Sequence, residues 1–230
     1  MSIQITKCIN STIERIKDRE HNIYLGISIQ NQFFSRKNVS EYLSWAHLCS
    51  KDIPVILIAD ELQAYNYQAF YDMNYTVALS KAKAKGDEIH RLAERVIRNL
   101  SENYSDIKQI PILHIHDITT DKHREKQEIL EKEFRDNAMF RSEITRIMGE
   151  NLRTKSFSAT QQDQLAKYLL TEIPLQNDLV YNRTHYDLYP YPGLVTGKFM
   201  DDLAHRRIFP DVADKIDMRT DNAFVEAYVV

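Results

Sequence analysis

Glycine is scarce in this chain: there are five among 230 residues, and none falls in a G-x-G-x-x-G or G-x-x-x-x-G-K arrangement. The usual backbone cradle for nucleotide phosphates is therefore missing, and nothing in the sequence implies a cofactor or a metal. Cysteine is scarcer still. Cys8 and Cys49 are the only two, and the N-terminal stretch has no signal-peptide apolar core, so no disulfide framework is expected and a reducing, cytoplasmic setting is. No apolar run approaches the roughly 18 residues needed to span a bilayer. An excess of positive charge is lacking too: 30 Lys and Arg face 33 Asp and Glu, a formal net charge of -3. That excludes a protein that coats nucleic acid indiscriminately, and any RNA contact must be local.

What is present is enough apolar material, 43% of residues, for an ordinary globular core. Residues 21–29 read as a strand, followed by a loop through Phe34 and a helix over about 35–49. The run Ile53-Pro54-Val55-Ile56-Leu57-Ile58-Ala59-Asp60 has the continuous apolar character of a strand buried on both faces. Residues 110–117 give a third strand, with helix-compatible stretches at about 61–72 and 75–104 between the two. Residues 122 to about 154, nearly free of breakers, predict one long helix or two nearly continuous ones. A further helix starts at Ser158 and is expected to stop at Pro174; a short strand at 184–189, a helix at 195–206 and a strand at 224–230 follow. Strands separated by helices imply an α/β fold with a mostly parallel sheet. One domain over residues 1–230 is expected, with an added helical portion at about 122–174.

Two constellations carry chemistry. In Gly26-Ile27-Ser28-Ile29-Gln30-Asn31 a lone serine stands where a buried strand meets a loop, a rigid seat for a nucleophile, with Gly26 letting a substrate backbone come close. The same Ser28 and Asn31 would also serve to cap a turn. Far along the chain, Leu165, Tyr168, Leu169 and Glu172 share one helix face. A carboxylate in line with an apolar stripe must find a cation or suffer desolvation, which suits it to bind an ammonium group or move a proton. A glutamate at a helix end that reaches solvent or an arginine is the plainer alternative.

Taken in order, these motifs resemble a known family. A G-I-S-x-x-N-x-x-F-S stretch (Gly26, Ile27, Ser28, Asn31, Phe34, Ser35) after an early strand, a Y-x-x-x-E-x-P helix end (Tyr168, Glu172, Pro174) and a tyrosine near a later strand are similar to the tRNA-dependent cyclodipeptide synthases. The resemblance runs over nearly the whole chain, including Arg36-Lys37-Asn38 and Phe134-Arg135-Asp136-Asn137-Ala138-Met139-Phe140. It implies a Rossmann-like domain similar to the catalytic domain of class I aminoacyl-tRNA synthetases, working without ATP on two aminoacyl-tRNAs to release a cyclic dipeptide. By position Ser28 matches the family's nucleophile, Tyr168 and Glu172 hold the aminoacyl amino group, and Gly26 and Asn31 give support. The remaining family tyrosine falls in Leu188-Tyr189-Pro190-Tyr191-Pro192, and Tyr189 is assigned to it with Tyr191 as the alternative. Family members divide by whether His or Pro follows that tyrosine; Asn31 usually accompanies His, but Pro190 or Pro192 makes this chain look closer to the Pro branch with an unusual Asn.

For tRNA the favoured platform is the helix near 76–100. Residues 81–98 hold Lys81, Lys83, Lys85, Arg91, Arg95 and Arg98 against three acidic residues, and the three arginines share a face at i, i+4, i+7; a solvated face of mixed charge is the plainer alternative. No stable protein partner and no membrane is implied. Rival readings are a degenerate class I synthetase-like protein that binds or activates an amino acid with ATP, for which His114-Ile115-His116-Asp117 is a faint counterpart of the HIGH signature; a serine hydrolase, which would need a histidine partner for Ser28, with His114 and His116 as candidates; and a non-catalytic binding domain.

Overall fold

The computed structural model describes residues 3–152 and 157–230. Strand β1 (Ile3–Ile9) leads to a short helix α1 (Ile13–Lys17), whose first turn is capped by the Thr12 hydroxyl, and then to β2 (Tyr24–Ser28), buried except at its last residue. Ser35 accepts from the Asn38 N–H and starts α2 (Arg36–Cys49). The fully buried β3 (Val55–Ala59) is followed by α3 (Gln63–Tyr71) and the long α4 (Tyr75–Leu100). After β4 (Ile112–His114) come α5 (Ile115–Ile118), α6 (Asp121–Asp136), α7 (Ala138–Leu152) and α8 (Ala159–Asn177). A small hairpin, β5 (Val180–Tyr181) and β6 (Thr184–His185), precedes β7 (Leu188–Tyr191), α9 (Val195–Ala204), α10 (Pro210–Lys215) and β8 (Ala223–Val229).

Strands β2, β3 and β4 pair in parallel, as do β7 and β8, while β1 closes the other edge antiparallel to β8. A single parallel bridge, Ile23 to Leu188, joins the two three-stranded sheets in the order β1-β8-β7-β2-β3-β4. Pro190, which has no N–H to donate, sits in β7 and fits the lack of a longer ladder there. The chain moves from β2 outward to β3 and β4, then returns to the far side of β2 as β7. The carboxyl ends of β2 and β7 therefore flank the switch point where open α/β sheets bind ligands.

Leu43, Ile56, Ile58, Ala78, Ala82 and Val96 pack one face of the sheet against α2 and α4. A second core, built on Phe140, Ile144, Ile147, Leu170 and Ile173, unites α7 and α8 and takes in Phe224 from β8.

Three sequence expectations need correction. The strand expected to run to Asp117 ends at His114, because the Asp117 carboxylate accepts the His114 N–H at 2.8 Å and turns the chain into α5. The expected break at Pro174 does not occur: α8 continues to Asn177, with Ile173, Pro174, Leu175, Gln176 and Asn177 all buried. Core packing there outweighs the roughly 3 kcal/mol that an interior proline costs. Of the two alternatives for the long breaker-free stretch, the structure has two nearly continuous helices, since the Asn137 side chain accepts from the Met139 and Phe140 N–H groups and restarts the helix as α7; its expected end at about residue 154 lies outside the described residues. The strand expected at 184–189 is split, and β7 runs to Tyr191.

Candidate active site

Ser28 ends β2 opposite Ala59 of β3, and the Asn31 N–H closes a turn on the Ser28 carbonyl at 3.1 Å. The Asn31 side chain is oriented by the Phe33 N–H, which donates to its Oδ1 at 3.0 Å. Its Nδ2 is thereby aimed at the Tyr191 hydroxyl, 3.0 Å away, and Tyr191 in turn donates to Ser28 Oγ at 3.1 Å. The donor direction along Asn31, Tyr191 and Ser28 has a consequence: negative charge developing on Oγ is met by a hydrogen bond already in place. The Tyr168 side chain, from α8, also lies beside Ser28, and burial holds its phenol well above the usual range.

One turn further along α8 stands Glu172. Burial pushes its carboxyl up to about 7, offset in part by a hydrogen bond from the Gln176 side chain. No salt bridge to it is present among the described residues; its neighbours are hydroxyls. Its charge is felt at Tyr24, Tyr168, Tyr189 and Tyr191, all raised first by burial. Ser28, Asn31, Tyr168, Glu172, Tyr189 and Tyr191 nevertheless each keep part of their surface open. A carboxylate among phenols, with no cation of its own and a face accessible, is built to receive a positive group from outside.

Tyr189 and Tyr191 sit differently. Tyr189 stacks flat on Tyr24, ring centroids 4.8 Å apart, and its ring edge lies 2.6 Å from where a Cβ on Gly26 would be. Gly26 thus makes room for Tyr189, not for a substrate backbone as the sequence suggested. The tyrosine that touches the serine is Tyr191. Tyr24, read in the sequence only as part of an apolar run, belongs to the same cluster; an aromatic in a buried strand gives no signal of such a role.

The family model for cyclodipeptide synthase matches residues 5–179. The chain belongs to the cyclodipeptide synthase family. It is therefore an aminoacyltransferase, on a Rossmann-like fold of the kind found in class I aminoacyl-tRNA synthetases. Among solved structures, a cyclodipeptide synthase from Bacillus thermoamylovorans is 17% identical, with TM-score 0.72 over 97% of this chain and 96% of that one. One from Staphylococcus haemolyticus is 14% identical, with TM-score 0.72 over 99% of each chain. A Mycobacterium tuberculosis protein, described as demonstrating that cyclodipeptide synthetases are related to type I tRNA synthetases, is 16% identical, with TM-score 0.70 over 94% and 89%. No curated protein matches the sequence. Among the described residues, no helix is long and apolar enough to cross a membrane.

In this synthase no histidine hydrogen-bonds to Ser28. His114 is held by the buried Asp60 at 2.7 Å and by His90 at 2.9 Å, while His116 lies beside Glu61. A serine, histidine and aspartate do line up elsewhere, as Ser11, His21 and Asp187, with 2.8 and 2.6 Å spacings. That set lies at the amino ends of β2 and β7, the opposite edge from Ser28, with His21 only 3% exposed; it pins the two strands together.

The basic residues of α4 divide into two groups. Lys83 is paired with Glu61 at 2.9 Å, Lys85 with Glu88, and Lys81 sits over tyrosine rings. Arg91, Arg95 and Arg98 are exposed and form no salt bridge among the described residues.

Proposed function

We propose that this synthase joins two aminoacyl groups, each delivered by tRNA, in a ping-pong sequence on Ser28. Ser28 Oγ attacks the ester carbonyl of the first aminoacyl-tRNA; the new Oγ ester forms, the ribose ester bond breaks, and the proton of the hydroxyl ends on the departing ribose oxygen. The amine of the aminoacyl-Ser28 then attacks the second aminoacyl-tRNA ester, giving a dipeptidyl-Ser28 and a second free tRNA. The terminal amine finally attacks the Ser28 ester, closes the six-membered ring and returns the proton to Oγ. No nucleotide hydrolysis is needed, because each ester arrives activated.

The observation that carries this reading is the half-buried, cation-free Glu172 one helical turn from a tyrosine beside Ser28. Its carboxylate pairs with the ammonium of the substrate, and near its own pKa it can take the proton that frees the amine for attack. Tyr168 fixes that amine relative to Oγ. Tyr191, steered by Asn31, supports the oxyanion of serine as nucleophile and later as leaving group. Tyr189 and Tyr24 form the floor of the cluster. The chain would work as one unit, since Phe224 of the sheet is shared with the helical core.

The tyrosine roles separate in turnover. Tyr191→Phe is expected to lower kcat by about 10- to 100-fold, as loss of an oxyanion donor does, whereas Tyr189→Phe, whose ring does the packing, should stay within a few-fold. The reverse order would transfer the catalytic role to Tyr189.

The whole reading is tested by incubating the protein with charged tRNAs and searching for cyclic dipeptides by mass spectrometry. Product is expected; release of free amino acids alone, or amino-acid-dependent pyrophosphate exchange with ATP, would replace the synthase reading with a hydrolase or an activating protein. In the same assay Arg91→Glu/Arg95→Glu/Arg98→Glu should raise KM and flatten its dependence on log salt by about 2 to 3, one phosphate contact per arginine. An unchanged salt slope would remove this face from tRNA binding.

A further inference from the structure

Where α3 ends and α4 begins, about 24 Å along α4 from Arg91 at 1.5 Å per residue, large apolar side chains are left in solvent: Phe70 is 45% exposed, Tyr71 59% and Tyr75 43%. They are ordered among themselves. Tyr75 stacks on Tyr65, centroids 5.8 Å apart, and Tyr71 packs against Tyr67 at 6.0 Å. The Lys81 ammonium sits over both of the latter rings, 4.8 and 5.3 Å from their centroids. Rings left facing solvent form an apolar patch beyond what their mutual stacking needs, and a cation among them favours an anionic occupant.

The patch is continuous with the active site. Tyr65 stands between Tyr75, on which it stacks, and Thr171, the residue before Glu172. At the other end of α3, Gln63 bonds Gln30, two residues beyond Ser28, at 2.8 Å. Helix α3 therefore runs from the nucleophile's loop to the exposed rings, about 12 Å at 1.5 Å per residue.

From this placement we infer that the Phe70, Tyr71 and Tyr75 rings stack the unpaired nucleotides at the 3′ end of the aminoacyl-tRNA, with Lys81 beside their phosphates. Aromatic platforms with a cation beside them are how proteins hold single strands without reading sequence. The ring patch would hold the loose end within one length of α3 from Ser28. The inference deepens the aminoacyl-tRNA reading and rests on it.

A short single-stranded oligoribonucleotide ending in CCA and carrying no amino acid, titrated against the full chain, reads the patch without turnover. Tyr71→Ala/Tyr75→Ala should weaken its binding by about ten-fold or more and raise KM for aminoacyl-tRNA in parallel, while Tyr71→Phe/Tyr75→Phe, which keeps both rings, should restore both. Equal oligonucleotide affinity in wild type and the alanine pair overturns the inference, even if cyclic dipeptide is still made. So does a change in self-association without a change in RNA affinity, which would make the patch a contact between copies. Failure of the wild type to make any cyclic dipeptide strikes instead at the underlying reading.

Discussion

Ser28→Ala should leave a folded protein that forms neither a covalent aminoacyl adduct nor a cyclic dipeptide. Removal of the nucleophile from a serine enzyme costs on the order of 10⁶ in turnover, and the residual rate comes from binding and charge stabilisation alone. Here even that residual rate is of little use, because in the proposed sequence the first acyl transfer and the ring closure both take place at this oxygen. The substitution removes one hydroxyl from a partly open strand end, where Tyr191 keeps its bond from Asn31, so stability should change by no more than about 1 kcal/mol. Mass spectrometry of the intact protein after brief exposure to aminoacyl-tRNA checks the adduct, and thermal unfolding checks the fold. An adduct that persists in the alanine variant would move the nucleophile elsewhere; product without any adduct in wild type would mean direct condensation of the two substrates.

Much of this site is legible in the amino-acid sequence for simple reasons. A continuous apolar run places β3, a serine after a buried strand places Ser28 at the sheet's carboxyl edge, and helical spacing puts Tyr168 and Glu172 on one face. The choice between Tyr189 and Tyr191 is not legible. Period two puts both on the same face of β7, and they differ only in how far along the parallel stagger each reaches: Tyr189 lies level with Tyr24 and Gly26, Tyr191 with Ser28. That stagger is fixed by the Ile23 to Leu188 bridge and by pairing with β8, contacts between distant segments that no local pattern carries. Strand β1 and helix α10 went unread for the same reason: β1 exists as a partner of β8, and α10 is six residues long. Pro174 misleads because its local cost is real and only the buried end of α8 offsets it. The exposed rings of α3 and α4 carry no sequence signal of their own, since a helix-compatible stretch does not say which rings face outward.

Glu172→Gln should make the protein more stable and far less active, with both effects set by pH. Burial raises the folded carboxyl from 4.5 to about 7, so the folded state holds a proton that the unfolded chain releases above about pH 4.5. The sign follows: wild type loses stability relative to the glutamine variant as pH rises from 4.5 to 7, and the gap is constant above that. A shift of that size corresponds to about 3 kcal/mol at most, and the partly open face of the side chain brings the expected gap at pH 8 nearer 2 kcal/mol, vanishing at pH 4. Glutamine can still bond Gln176 but can neither hold an ammonium nor accept a proton, so kcat/KM should fall by about 10²- to 10⁴-fold. In wild type kcat/KM should climb through an apparent pKa near 7 as the carboxylate forms, and the variant should lack that limb. Denaturant unfolding and rate profiles across pH 4 to 9 separate the two claims. A glutamine variant with no stability gain at pH 8 would show that the carboxyl is not desolvated, whereas a stabilised variant with full activity would show that the amino group is held by something else.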